Sequence, residues 1–220
     1  MHDFREDPPP TRGAMAASTI DDDERLSAPG TTAGDRWTFL RGFLRDPKGV
    51  ASVIPSSRWL ERRVVGNARP AQAACVVELG PGTGGMTRRL LSAMGPQARL
   101  LAIELEPAFH AHVRDSIADR RLAVELGSAE HLAEFLAARR LPPPEVVVSG
   151  IPFSTMPADV GDRIAAAVGS ALAPGGRFVA YQWTPVVAER VIPYLGEPRR
   201  EWEPLNAPPM RVFTWVKPAA

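Results

Sequence analysis

Residues 75–87 read Cys-Val-Val-Glu-Leu-Gly-Pro-Gly-Thr-Gly-Gly-Met-Thr, and the chemistry of the chain concentrates there. An apolar run ends in a carboxylate, Glu78, and glycines follow at alternate positions, Gly80, Gly82 and Gly84. Glycine at these places permits positive φ and lets a ligand lie against the backbone, so a strand, a tight turn and a helix start form a small-molecule cradle. Gly80, Gly82 and Gly85 also satisfy the dinucleotide spacing GxGxxG, in which a pyrophosphate rests on helix N-terminal amides. Glu78 argues for a different ligand, because a carboxylate at the strand end repels a pyrophosphate and suits an ammonium group. A second acid, Glu104, ends the next apolar run about 20 residues past the glycines, where a carboxylate accepts ribose hydroxyls. Both kinds of ligand need that contact, so it does not choose between them.

S-adenosylmethionine, with an α-amino group and a sulfonium cation, meets the requirement that Glu78 sets. The segment Glu78-Leu79-Gly80-Pro81-Gly82-Thr83-Gly84 resembles motif I of class I methyltransferases. A second informative stretch is Ser149-Gly150-Ile151-Pro152-Phe153, at the end of the fourth apolar run. A backbone bent by Gly150 and Pro152 exposes carbonyls that can accept hydrogen bonds from a substrate N–H and hold the nitrogen lone pair in line with a methyl donor. Tyr181, in Val179-Ala180-Tyr181-Gln182-Trp183, is placed either to orient an ammonium group or to serve as a core tyrosine with a satisfied hydroxyl. His110, His112 and His131 fall on helices away from the expected mouth and read as bystanders. No general base declares itself, and no metal-ligand set is assigned.

The elements that must position these residues alternate. Strands are expected over 74–79, 99–104, 122–126, 145–149 and 177–183. Helices are expected over 84–94, from Pro107 with Phe109, Val113 and Ile117 on one face, over 129–139, and with Val160, Ile164, Val168 and Leu172 on one face. Trp202 and the run 210–216 read as strands with no room for a helix between them, so they pair antiparallel. The fold class is α/β: a doubly wound, Rossmann-like sheet ending in an antiparallel hairpin, with the ligand at the carboxyl ends of its strands.

Ahead of this domain, residues 1–33 carry Pro8-Pro9-Pro10, the acidic run Asp21–Glu24 and no periodicity, which is the composition of a disordered tail. Residues 34–69 read as two basic helices that cap the domain spanning 70–220. In the first, Trp37, Leu40 and Leu44 share a face and Arg41, Arg45 and Lys48 line its edge; in the second, Arg58–Val65, Ser57 is the cap. Net charge is +1, distributed as −4 over 1–30, +5 over 35–69 and zero over 70–220, so an anionic partner is expected at the basic segment. The single cysteine, Cys75, excludes a disulfide framework and reads as an inert buried thiol. No apolar run reaches the roughly 18 residues of a spanning helix, and the acidic start does not resemble a signal peptide, which implies a cytoplasmic protein.

Together with Val53-Ile54-Pro55-Ser56-Ser57, Glu104-Leu105-Glu106-Pro107 and Gly127-Ser128-Ala129-Glu130, the two stretches above are similar to the soluble bacterial phospholipid N-methyltransferases over about residues 35–217. The resemblance implies methyl transfer from S-adenosyl-L-methionine to the amine of phosphatidylethanolamine, towards phosphatidylcholine. It implies a peripheral place on the inner membrane, with residues 36–48 docking on an anionic surface. By the same resemblance Glu78, Gly80, Gly82 and Gly84, with Thr83 beside them, hold the methionine part of the cofactor. Glu104 with Leu105 holds the ribose, Ser128 with Ala129 the adenine, and Ser56 and Ser57 help close the site. Ser149, Gly150, Pro152 and Tyr181 form the catalytic set. The loop also resembles the Asn-Ile/Leu-Pro-Tyr/Phe motif of ribosomal RNA adenine N6-methyltransferases, with Ser149 and Gly150 where that motif has asparagine. Nucleic acid is not expected as a partner, because its binding calls for a broad basic face and the cofactor half is neutral. A catalytically idle cofactor-binding module that docks on membranes is the alternative from another class.

Overall fold

The apolar runs pair side by side in the computed structural model, which describes residues 56–219. The expected tail over 1–33, the helix over 36–48 and Val53-Ile54-Pro55 lie outside the described residues. Helix α1 (Arg58–Ala68) comes first, then strand β1 (Cys75–Leu79), helix α2 (Gly85–Ala93), β2 (Arg99–Glu104), α3 (Pro107–Ser116) and β3 (Leu122–Leu126). Next are α4 (Leu132–Ala138), β4 (Val146–Ser149), α5 (Ala158–Ala171), β5 (Arg177–Gln182), α6 (Val186–Leu195), β6 (Arg199–Glu203) and β7 (Met210–Val216).

The seven strands lie in the order β3-β2-β1-β4-β5-β7-β6. Strands β1 to β5 are parallel, and β7 runs antiparallel to both β5 and β6. Central strands of such a sheet are covered on both faces, which is why β1 and β4 are apolar apart from Glu78 and Ser149 and are buried at every position. The order reverses between β1 and β4, and the crevice at their carboxyl ends is where a doubly wound sheet binds its ligand. The turn after Leu79 and the loop after Ser149 flank that crevice.

Two apolar layers hold the sheet. On one face α4, α5 and α6 pack Leu132, Ile164, Val168 and Val191 against Val77, Leu101 and Phe178, with Phe178 stacked on Trp215 at 5.2 Å. On the other, α1 to α3 pack Leu60, Val64, Leu90 and Val113 against Val76, Val148, Val179 and Val212. Helix α1 forms because Ser57 caps it, its hydroxyl accepting from the Leu60 amide at 3.2 Å, and because Leu60, Val64 and Ala68 fall on one stripe. Burying the larger two is worth roughly 1.5–3 kcal/mol each. Its opposite flank is tied down by Arg63, which donates to Glu203 at 2.7 Å and Glu201 at 3.2 Å on β6.

Two expectations change. The helix expected over 129–139 is a 3-10 turn at Ala129–His131, capped by the Ser128 hydroxyl, that runs into α4. Helix α6, to which the sequence reading assigns nothing, carries Pro193 inside it. Proline there removes one helical donor, but Val187, Ala188, Val191 and Leu195 bury the face and outweigh that loss.

Candidate active site

The glycine turn divides its labour. Gly80, Gly82 and Gly84 all take positive φ, at 76°, 54° and 80°. A side chain at Gly80 would meet Ile151 Cγ1 at 3.1 Å, and one at Gly84 would meet Ile117 Cδ1 at 3.1 Å, so these two glycines let the β4 loop and α3 approach. Gly82 faces open space, with no atom within 4 Å of where a Cβ would stand, and there the backbone itself is the floor of the cradle. The turn closes through Gly84 N–H to the Pro81 carbonyl at 2.9 Å, and Gly80 N–H donates to Ile103 on β2 at 2.9 Å. Thr83 is exposed at the tip.

Glu78 stands beneath this turn, 1 % exposed, and among the described residues neither of its carboxylate oxygens has a hydrogen-bond partner. Burial pushes its pKa up to about 8; the charge of Glu104 adds to the rise, while the Thr87 hydroxyl, close by but outside hydrogen-bond geometry, opposes it. An orphaned buried carboxylate is costly unless a cation arrives, and the residues present therefore fit a ligand whose ammonium group binds here. Glu104 is also buried, but it is satisfied. Its Oε1 accepts from the Leu105 and Glu106 amides at 2.9 and 3.0 Å, and its Oε2 from the Gly82 amide at 3.0 Å. Burial raises its pKa, with those three amides opposing and the Glu106 charge assisting the rise. Each carboxylate oxygen offers about two acceptor positions, so one position on Oε2 remains for a ribose hydroxyl. The acid thus fixes the turn and keeps an open acceptor position.

The loop after β4 carries the other half. Gly150 N–H donates to Leu79 at 3.0 Å, and the buried Ser149 hydroxyl accepts from the Ile151 amide at 3.3 Å. Gln182 donates to the Ile151 carbonyl, and Thr155 donates to the Pro152 carbonyl from its amide at 3.2 Å and its hydroxyl at 3.0 Å. Among the described residues the Gly150 carbonyl has no such donor, so of the carbonyls bent outward by Gly150 and Pro152 those of Ile151 and Pro152 are taken and that of Gly150 is open. Tyr181 lies against Gly150 itself. A Cβ on Gly150 would stand 2.5 Å from the Tyr181 hydroxyl oxygen, which leaves position 150 no room for a side chain. Burial first, then the charge of Glu78, raises the phenol's pKa; the Ser56 hydroxyl beside it opposes and Glu61 adds to the rise. Tyr181 is accordingly a neutral hydroxyl at the crevice.

Other expected site residues are placed as follows. Ser57 spends its hydroxyl on capping α1, and its amide donates to Asn206 Oδ1 in the β6–β7 hairpin at 2.8 Å. Ser128 donates to Glu130 Oε1 at 2.8 Å, Ala129 is buried and Leu105 is half-buried beside Glu104. His110 bonds the Val124 carbonyl and His131 pairs with Glu134, both away from the crevice. Cys75 is buried, its thiol pushed up to about 12 by burial and by the charge of Glu145, with Arg99 opposing. Sequence reasoning misses Glu61. Its side chain leaves α1, reaches within 3.0 Å of the place a Cβ on Gly85 would occupy, and raises the Tyr181 pKa. Burial lifts its own pKa, opposed by Arg89. Nothing local marks it, because only the docking of α1 beside α2 brings it to the site.

No family model matches the chain. The ornithine lipid N-methyltransferase of Singulisphaera acidiphila is 33% identical over 181 residues, which cover 81% of this chain and 94% of that protein. Ribosomal RNA small subunit methyltransferase A of Kineococcus radiotolerans is 34% identical over 98 residues, 42% of this chain and 30% of that protein. The fold matches that of the N-methyltransferase NodS from Bradyrhizobium japonicum, solved in complex with S-adenosyl-L-homocysteine. The TM-score is 0.58 at 14% identity, over 83% of this chain and 97% of that one.

Proposed function

From the premise that the chain belongs to the class I S-adenosylmethionine-dependent methyltransferases, we propose that it methylates the primary amine of a membrane lipid head group. Phosphatidylethanolamine, methylated towards phosphatidylcholine, is the substrate that its motifs favour. Ornithine lipid, whose amine is also primary and aliphatic, is the one that the relative's name favours. The observation that supports a lipid amine best is the likeness to a lipid N-methyltransferase along 94% of that protein. A ribosomal RNA adenine as acceptor has weaker support, since likeness to the RNA enzyme spans 30% of its length and the Tyr181 hydroxyl occupies the space an asparagine at position 150 would need.

When bound, S-adenosylmethionine supplies an electrophilic methyl group and leaves as a neutral thioether. Glu78 holds its ammonium group, and the open backbone at Gly82 gives it a floor. The free acceptor position on Glu104 Oε2 takes a ribose hydroxyl, and Ala129 with Ser128 borders the adenine. At the reacting end the Gly150 carbonyl accepts an N–H of the substrate amine and aims its lone pair, a positioning role that acts on the transition state. Tyr181, neutral and wedged against Gly150, leaves that position no room for a side chain. Among the described residues no helix is long and apolar enough to cross a membrane. The proposal accordingly places the enzyme on the cytoplasmic face of the inner membrane as a peripheral protein.

The test is transfer of labelled methyl groups to detergent-dispersed phosphatidylethanolamine, ornithine lipid and a ribosomal RNA fragment. Labelled lipid is expected. Labelled RNA with unlabelled lipids overturns the proposal.

A further inference from the structure

Four large apolar side chains stand exposed around the carboxyl-end rim of the sheet, beside the crevice: Trp59 (37 %), Trp183 (51 %), Trp202 (45 %) and Leu205 (59 %). Trp183 follows β5 two residues past Tyr181, Trp202 lies near the end of β6, and Leu205 sits in the hairpin between β6 and β7. The Trp183 and Trp202 rings are 6.5 Å apart. Trp59 opens α1, which the bond from Ser57 N–H to Asn206 ties to the same hairpin. Guanidinium groups lie over these rings: Arg211 over Trp202 at 5.1 Å, Arg58 and Arg62 over Trp59 at 4.7 and 5.6 Å. The neighbouring carboxylates of Glu201 and Glu203 are engaged by Arg63, Arg199 and Asn67. Arg58, Arg62 and Arg211 have no carboxylate partner among the described residues.

We propose that this rim, formed by the start of α1, the end of β5 and the β6–β7 hairpin, docks on the head-group layer of an anionic membrane. The inference rests on the lipid-amine reading above and adds to it the surface that brings the crevice to the lipid. Tryptophan rings prefer the boundary between head groups and acyl chains, while unpaired guanidinium groups meet lipid phosphates. Each base near such a surface strengthens binding, and salt weakens it. A patch of this kind on a soluble domain marks an interaction site. RNA is the less suitable partner. Three guanidinium groups are few for a polyanion, and the aliphatic tip at Leu205 gives a base nothing to stack on but suits an acyl boundary. Because Trp183 lies two residues beyond Tyr181, docking by this rim turns the crevice towards the lipid layer.

The experiment is flotation of the full chain with vesicles of phosphatidylglycerol and phosphatidylcholine, which contain no amine substrate, beside pure phosphatidylcholine vesicles and a single-stranded RNA oligonucleotide. Two double variants are compared with wild type: Trp202→Glu with Leu205→Glu, and Arg58→Glu with Arg62→Glu. Wild type is expected to float with anionic vesicles and not with neutral ones. Each double variant is expected to lose vesicle binding by tenfold or more, with S-adenosylhomocysteine affinity unchanged by calorimetry. Both variants floating like wild type, or wild type that ignores anionic vesicles and binds the oligonucleotide, overturns the rim. Methyl transfer to detergent-dispersed lipid is measured in parallel and needs no docking. Its absence in wild type overturns the substrate reading, whereas its retention in variants that no longer float supports the rim.

Discussion

Replacing Glu78 by glutamine asks whether a buried, partnerless carboxylate holds the cofactor's cation. In the free protein burial raises Glu78 from 4.5 to about 8, so this group favours the folded state fully below pH 4.5. That contribution is lost progressively as pH rises to 8 and stays lost above it. At about 1.4 kcal/mol per pKa unit, the interval from 4.5 to pH 7 amounts to roughly 3 kcal/mol. Glutamine is close in shape to the protonated acid and does not titrate. Relative to wild type, Glu78→Gln should therefore gain roughly 3 kcal/mol of ligand-free stability between pH 4.5 and pH 7, read from urea unfolding at the two pH values. The ligand-bound state moves the opposite way. At pH 7 Glu78 is mostly protonated in the free protein, and a bound cation drives that proton off, so binding of S-adenosylmethionine or S-adenosylhomocysteine releases up to about one proton. Wild-type affinity should rise about tenfold per pH unit from pH 6 and level off above about pH 8, where Glu78 is already ionised in the free protein and no proton remains to be released. Calorimetry in two buffers of different ionisation enthalpy measures the release directly. Buffer-independent heats at pH 7, or a stability difference between variant and wild type that does not change with pH, would refute the assignment of Glu78 to the cation.

Glu104→Ala removes a ribose acceptor and is expected to weaken S-adenosylhomocysteine binding by about 1.5–3 kcal/mol, or roughly 10- to 150-fold by calorimetry. It also leaves the Gly82, Leu105 and Glu106 amides without their acceptor, so the ligand-free midpoint of thermal unfolding should fall as well. Gly150→Ala brings a methyl group within 2.5 Å of the Tyr181 hydroxyl and should destabilise by about 1–3 kcal/mol. Tyr181→Phe in the same chain should recover part of this, and strictly additive losses would contradict the contact. Under the proposed positioning role of the loop, Pro152→Ala should lower kcat more than cofactor affinity; equal losses in both point to a packing defect instead. Residues 36–48 are proposed as a second membrane contact, and Glu at positions 41, 45 and 48 together should reduce flotation with anionic vesicles at low salt more than at high salt.

What the sequence determined by itself is whatever rests on local pattern. Nearly continuous apolar runs such as 75–79 and 146–149, interrupted only by Glu78 and Ser149, specify strands covered on both faces, and their alternation with helical periods specifies a parallel, doubly wound sheet. Glycines at alternate positions after Glu78 specify a ligand turn, and the short link between Trp202 and Met210 specifies the antiparallel hairpin. These follow from chain geometry over a few residues, so they are readable before any folding. The tertiary structure decided whatever depends on which distant groups meet. It parted the three glycines into two that admit neighbouring elements and one that faces open space. It satisfied Glu104 with three amides and left Glu78 with none. It set Tyr181 against Gly150 from a strand thirty residues on, and it occupied the Ile151 and Pro152 carbonyls of the loop. It brought Glu61 to the site only by docking α1 beside α2, and it retained α6 despite Pro193 by burying four apolar residues. Hydrogen-bond satisfaction and burial are properties of contacts between segments far apart in the chain, and no spacing within one segment encodes them.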